Sequence, residues 1–184
     1  MLEPRLYLND GNGRYTDASD RLPQIETSGM RVAVGDIDND GDNDLFLAGR
    51  VTPGFYPFRP RSYLLRNDIS TWAGEGKFVE VTQELAPDLM GPGLITDAHF
   101  ADIDNDGYDD LFMGAYKYQA ELGRVYVLFG GEPDGTVERL VSELSKPVGA
   151  IFQGIAASRF GASLATLDYN GDGIDDVAMG SPSV

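Results

Sequence analysis

The chain contains no cysteine and a single histidine, so neither a disulfide framework nor a thiolate or imidazole metal cage can be built from it. Basic residues are scarce: 14 Lys and Arg stand against 30 Asp and Glu, a formal net charge of −16. That balance argues against binding a nucleic-acid backbone, which favours basic surfaces. No apolar run approaches the ~20 residues of a membrane-spanning helix. Nor does the start, Met1-Leu2-Glu3-Pro4, read as a signal peptide, since it leads directly into an amphipathic strand. On that reading, a secreted parent protein would make this chain an internal piece. What remains is 42% apolar residues with 23 Gly and 10 Pro, a turn-rich globular composition able to bury a core in 184 residues.

The acidic residues are concentrated. Asp36-Ile37-Asp38-Asn39-Asp40-Gly41-Asp42-Asn43-Asp44-Leu45 recurs as Asp102-Ile103-Asp104-Asn105-Asp106-Gly107-Tyr108-Asp109-Asp110-Leu111. It recurs again as Asp168-Tyr169-Asn170-Gly171-Asp172-Gly173-Ile174-Asp175-Asp176-Val177, and both spacings are 66 residues. A fixed period marks a repeat architecture. These loops hold 14 of the 30 acidic residues, and three bound divalent cations would bring the net charge to about −10.

Each copy places an oxygen-bearing side chain at positions 1, 3, 5 and 9 and glycine at position 6. Calcium takes about 6–8 oxygens, and alternate residues of a tight loop can converge on one centre. Gly41, Gly107 and Gly173 allow the reversal. The backbone carbonyl of position 7 then supplies an oxygen whatever its side chain, which suits Asp42, Tyr108 and Ile174 standing there. The expected ligand sets are Asp36, Asp38, Asp40, Asp42 and Asp44; Asp102, Asp104, Asp106, Tyr108 and Asp110; and Asp168, Asn170, Asp172, Ile174 and Asp176. Clustered carboxylates repel and favour a hard divalent cation, and magnesium's stricter octahedral demand makes Ca²⁺ the better match, with three ions expected. An EF-hand is excluded by Leu47, Met113 and Met179 at position 12, where it needs a bidentate Glu. Its flanking helices, like the helix of a dockerin loop, are also absent: Val32-Ala33-Val34, Leu45-Phe46-Leu47, Leu111-Phe112-Met113 and Val177-Ala178-Met179 read as short buried strands.

Taken in order, Arg5-Leu6-Tyr7-Leu8 and Arg14-Tyr15-Thr16-Asp17 form a hairpin around Asn9-Asp10-Gly11-Asn12-Gly13, read as a turn rather than a fourth site because position 5 would be Arg14. Residues 1–29 are thus an outer hairpin plus a polar connection. Residues 30–95 form a unit with the first loop, 96–157 one with the second, and 158–184 the inner half of a third. The opening hairpin pattern returns at Ser62–Asp68 and Lys77–Thr82. In the second unit, strands are expected at Arg124–Gly130 and Thr136–Leu140. Only a turn near Thr82–Leu89 needs helix. Four-stranded units at this period describe an all-β fold of β-propeller blades. The chain holds about 2.8 periods, so it is either part of a longer propeller or one half of a homodimeric, six-bladed ring, in which one copy's amino-terminal hairpin completes the other's last blade.

These residues resemble a known family. The third unit, from Phe160-Gly161-Ala162-Ser163-Leu164 through its loop to Gly180-Ser181-Pro182, is similar to the FG-GAP repeat of integrin α-subunit propellers, with Gly-Ser-Pro for the frequent Gly-Ala-Pro. The first two units resemble the related VCBS repeats, through Asn9–Gly13, Asp36–Leu45 and Tyr56–Tyr63. The resemblance implies a seven-bladed propeller with Ca²⁺ in the hairpin loop between the first two strands of certain blades, held by the ligands already named. It implies no single activity, because the family includes adhesion receptors, lectins and the propeller of a glycosylphosphatidylinositol-cleaving phospholipase. The leading expectation is a calcium-binding, non-catalytic extracellular or cell-surface module that binds a protein or glycan. A lectin comes second, and an accessory domain of a secreted phospholipase or polysaccharide lyase third. His99 reads as a residue beside a strand. Arg50, Arg59, Arg61 and Arg66 read as partners for the surrounding acids more readily than as an anion or sugar subsite. Phe55, Tyr56 and Trp72 are candidate stacking surfaces for a glycan.

Overall fold

A computed structural model describes residues 3–25, 28–51, 60–67, 76–86, 94–117, 122–131, 151–155 and 157–182. Twelve strands carry the described fold: β1 (Tyr7–Asn9), β2 (Tyr15–Asp17), β3 (Ser28–Gly35), β4 (Asp44–Val51), β5 (Tyr63–Asn67), β6 (Phe78–Glu80), β7 (Asp97–Ala101), β8 (Asp110–Ala115), β9 (Arg124–Leu128), β10 (Ile151–Gln153), β11 (Leu164–Leu167) and β12 (Asp176–Met179). They pair antiparallel as two four-stranded sheets, β3-β4-β5-β6 and β7-β8-β9-β10, and two two-stranded ones, β1-β2 and β11-β12. These are partial propeller blades, and no closed sheet forms among the described residues.

Each acidic loop joins the first two strands of its sheet, and Asp44, Asp110 and Asp176 open the second strand. The apolar triplets after the loops alternate their faces. Phe46 and Ala48 face one neighbour, and Leu45 and Leu47 the other. The sheets stack with first strands adjacent, β3 on β7 and β7 on β11. Between the first and second units lie Ala33, Phe46, Leu64, Ala98, Leu111, Met113 and Leu128. Between the second and third lie Phe112, Val125, Val127 and Leu164, with Val177 and Met179 packed against them. A third cluster, Ile25, Leu47 and Leu65, lines the far side of the first unit. Beside it an apolar groove of about 450 Å³ opens between residues 3–6 and β3.

Three differences from the sequence reading stand out. The strand β3 begins at Ser28, inside the expected polar connection, and irregular pairing at Ser28–Arg31 accommodates the extra length. That connection also holds a 3₁₀ turn, Ser19–Arg21, and the expected turn near Thr82 is a single helical turn, α1 (Thr82–Leu85). The strand that completes the second sheet is β10, and the expected strand at 136–140 lies outside the described residues. For the two strands, pairing partners, which composition does not reveal, decide the assignment.

Candidate metal centre

The three loops share a local frame. The carboxylate at position 1 accepts the backbone N–H of positions 5 and 6. Asp36 takes Asp40 (3.2 Å) and Gly41 (2.9 Å), Asp102 takes Asp106 (3.2 Å) and Gly107 (3.0 Å), and Asp168 takes Asp172 (3.1 Å) and Gly173 (2.9 Å). Position 5 then accepts from position 7, as Asp40 does from Asp42 (2.8 Å), Asp106 from Tyr108 (2.9 Å) and Asp172 from Ile174 (2.9 Å). Such short-range side-chain bonds make the turn a property of the loop itself. Two residues per loop adopt left-handed φ: position 6 is glycine in each, and position 4 is Asn39 (53°), Asn105 (59°) and Gly171 (75°). Position 4 was missed from sequence. Its signal was the run Asn, Asn, Gly, the residue types that tolerate this region.

Within this frame the carboxylate oxygens of Asp36, Asp38 and Asp40 lie within 4.8 Å of one another, and so do those of Asp102, Asp104 and Asp106. Burial, then the neighbouring charge of Asp40, raises the Asp38 pKa. Burial and Asp106 do the same to Asp104. Asp38 Oδ1 is buried without a hydrogen-bond partner, so an uncompensated acceptor sits inside a group of like charges. A hard cation is the group that this donor set fits. In the third loop Asn170 stands at position 3; its Oδ1 accepts Asp172 N–H (2.9 Å) and its amide donates to Asp172 Oδ2 (2.9 Å).

The position-9 carboxylates do not join those trios. Asp44 and Asp110 are fully buried. Asp44 accepts Ile37 N–H (3.0 Å) and Asn67 N–H (2.8 Å), and Asp110 accepts Ile103 N–H (3.0 Å) and Gly130 N–H (2.9 Å). Each therefore ties its loop to the third strand, or to the residues just after it. Burial pushes both pKa values up to about 7 against the pull of those N–H groups. Asp176 accepts Tyr169 N–H (2.9 Å).

The other singled-out residues sit elsewhere. His99, on β7, has Nε2 3.2 Å from Arg31 Nη2 and 3.6 Å from Asp97, while Arg31 Nε lies 3.1 Å from Asp97; the group bridges the first and second units. Arg61 pairs with Glu80 at 2.8 Å and stacks 4.8 Å above the Tyr63 ring. Phe55, Tyr56, Arg59 and Trp72 lie outside the described residues. Asp10 caps its own turn by accepting Asn12 N–H (2.8 Å) and Arg14 N–H (3.2 Å).

Comparison with known proteins adds the lineage. The FG-GAP-like repeat matches residues 3–47, and the FG-GAP repeat matches 96–128 and 160–184. Among relatives, phosphatidylinositol-glycan-specific phospholipase D of Bos taurus is 42% identical over 89 residues, 46% of this chain and 10% of that protein. Integrin alpha-PS2 of Drosophila melanogaster is 32% identical over 165 residues, 84% of this chain and 10% of the relative. Integrin alpha-4 of Xenopus laevis is 31% identical over 154 residues, 83% and 14% respectively. The chain thus spans about a tenth of the length of these relatives. No described helix is long and apolar enough to cross a membrane.

Proposed function

Because the chain belongs to the FG-GAP repeat family, we propose that it is a calcium-stabilised propeller module of an extracellular or cell-surface protein, binding a protein or glycan partner without catalysis. The observation that carries the metal reading is the pair of convergent aspartate trios with the orphaned Asp38 Oδ1 among them. Asp36, Asp38, Asp40, the Asp42 carbonyl and Asp44 would hold one ion. Asp102, Asp104, Asp106, the Tyr108 carbonyl and Asp110 would hold a second, and Asp168, Asn170, Asp172, the Ile174 carbonyl and Asp176 a third. The position-9 carboxylates can accept N–H bonds and still offer their remaining lone pairs. The ions neutralise crowded carboxylates and brace the hairpin tips under a recognition surface.

Metal analysis after dialysis should find three calcium ions per chain, and Asp104→Ala or Asp172→Ala should each remove one. An unchanged count rejects that loop's assignment. Chelator should lower the melting temperature, since a ligand that binds only the folded state stabilises it by mass action. The partner class is tested on glycan arrays and cell-surface protein panels, and binding that follows only glycans selects a lectin.

A second reading, an accessory propeller within an enzyme, draws on the 42% identity to a phospholipase D. Phospholipid or polysaccharide turnover that vanishes with His99→Ala would favour catalysis in this chain. Closure by a second copy, with β1–β2 of one molecule beside β11–β12 of another, is supported by the exposed Val32 and Val34 on β3 and by the groove beside them. A monomeric mass by light scattering at micromolar concentration ends that reading.

A further inference from the structure

Position 8 falls between the proposed ligands of each loop and is itself not one of them. It is Asn43, Asp109 and Asp175 in the three copies. Asp109 reaches across to the neighbouring unit. Its Oδ2 accepts the N–H of Asp36 at 2.8 Å, and its own N–H donates to the Asp36 carbonyl at 3.0 Å. This two-way bridge ends on the residue that opens the first loop and supplies its first carboxylate. The surroundings leave little slack. Gly131 N–H donates to the Ile37 carbonyl at 3.1 Å, and a Cβ on Gly35 would overlap the Phe100 ring and stand 2.8 Å from Asp109 Oδ2. Even the loop tips approach, since a Cβ on Gly107 would lie 3.5 Å from Asn39 Nδ2. Asp175, by contrast, is exposed and makes no such bridge to the second loop.

We propose that Asp109 is a positioning residue that couples the first two cation loops, so that loading the second raises the affinity of the first while the third binds on its own. The proposal rests on the cation reading above. In sequence Asp109 lies between Tyr108 and Asp110, the seventh and ninth positions. Fixing both neighbours fixes its backbone, and with it the aim of its N–H and carboxylate at Asp36. Asp36 in turn carries the N–H groups of Asp40 and Gly41, so its placement sets the first loop's turn. Coupling of this kind is reciprocal.

The test uses the whole chain with its third loop silenced by Asp172→Ala, and calcium chloride as the only probe, followed by calorimetry. Two ions should bind, the second about 5–150-fold more tightly than the first once statistical factors are removed, the usual range for coupled sites. Adding Asp109→Ala should keep two ions and abolish that ratio. Adding Asp109→Asn instead, which drops the charge but keeps an oxygen for Asp36 N–H, should weaken both sites alike and preserve the ratio. Simple loss of charge would move the two variants together, and thermal unfolding in chelator verifies that each folds. Should Asp109→Ala fail to fold, the reciprocal measurement replaces it: in the full chain Asp104→Ala weakens the first loop by the same factor, and Asp172→Ala leaves it unchanged. Equal ratios with and without Asp109→Ala, or no ratio in the parent, overturn the coupling alone. A full chain that binds no calcium at millimolar concentration overturns the cation reading and the coupling with it.

Discussion

The second and third loops share Asp at positions 1, 5 and 9, Gly at position 6 and the backbone N–H bonds that positions 1 and 5 accept, yet they are finished differently. In the second, Ile103 packs against the core between the second and third units, and Asp110 is fully buried beneath a two-sided set of N–H donors. In the third, Tyr169 occupies the same position as Ile103 and is 85% exposed, while Asp176 accepts from Tyr169 and from no third strand among the described residues. The first loop follows the second, with Ile37 only 2% exposed. The difference teaches that the turn is local, whereas its burial is supplied by the third strand and by the next unit. The faces repeat the lesson. Val32, Ala98 and Leu164 are equivalent at the 66-residue period; Ala98 and Leu164 are buried between units, but Val32 is 55% exposed.

Removing the packing between units should give the largest effect. Phe112→Ala, in the core between the second and third units, should cost about 3–5 kcal/mol in denaturant unfolding, whereas Val32→Ala should stay within about 0.5 kcal/mol as an exposed substitution. A large, concentration-dependent cost at Val32 would break the comparison by showing that a second copy covers that face. Next comes the loop base. Measured in chelator, Asp110→Ala should cost about 1–3 kcal/mol, because it strands the N–H groups of Ile103 and Gly130. Asp176→Ala should cost less than about 1 kcal/mol, and equal losses would mean that the third loop is buried too.

The remaining comparison is in pH. The carboxyls of Asp44 and Asp110 sit at about 7 in the folded chain against an ordinary value of 3.8. Ionising them in place therefore imposes a penalty on the folded chain that is absent below about pH 4 and fully expressed above about pH 7. Without calcium, melting temperature should rise as pH falls from 8 to 5. With calcium the trend should reverse, because protons then compete for the ligands. A flat profile in chelator would place those two carboxylates in contact with water.

Much of this was legible in advance. The period, the glycine at position 6 and the apolar triplets located six of the strands, because alternation and turn chemistry are local signals. Position 4 could have been read from its Asn, Asn, Gly series. The start of β3 and the identity of β10 could not, since a short strand exists only by virtue of the edge it joins. The inward turn of Asp44 and Asp110 was equally hidden: sequence gave them the same rank as Asp36 and Asp102, and only burial beside Asn67 and Gly130 separated them.

The sequence by itself determined the repeat, the loop conformation and the clustering of carboxylates, since side chains a few residues apart bond to their own backbone whatever surrounds them. Tertiary structure alone decided which loops are buried, which apolar faces are covered and that Asp109 meets Asp36. Those contacts join residues tens of positions apart, and their geometry depends on how one sheet stacks upon the next.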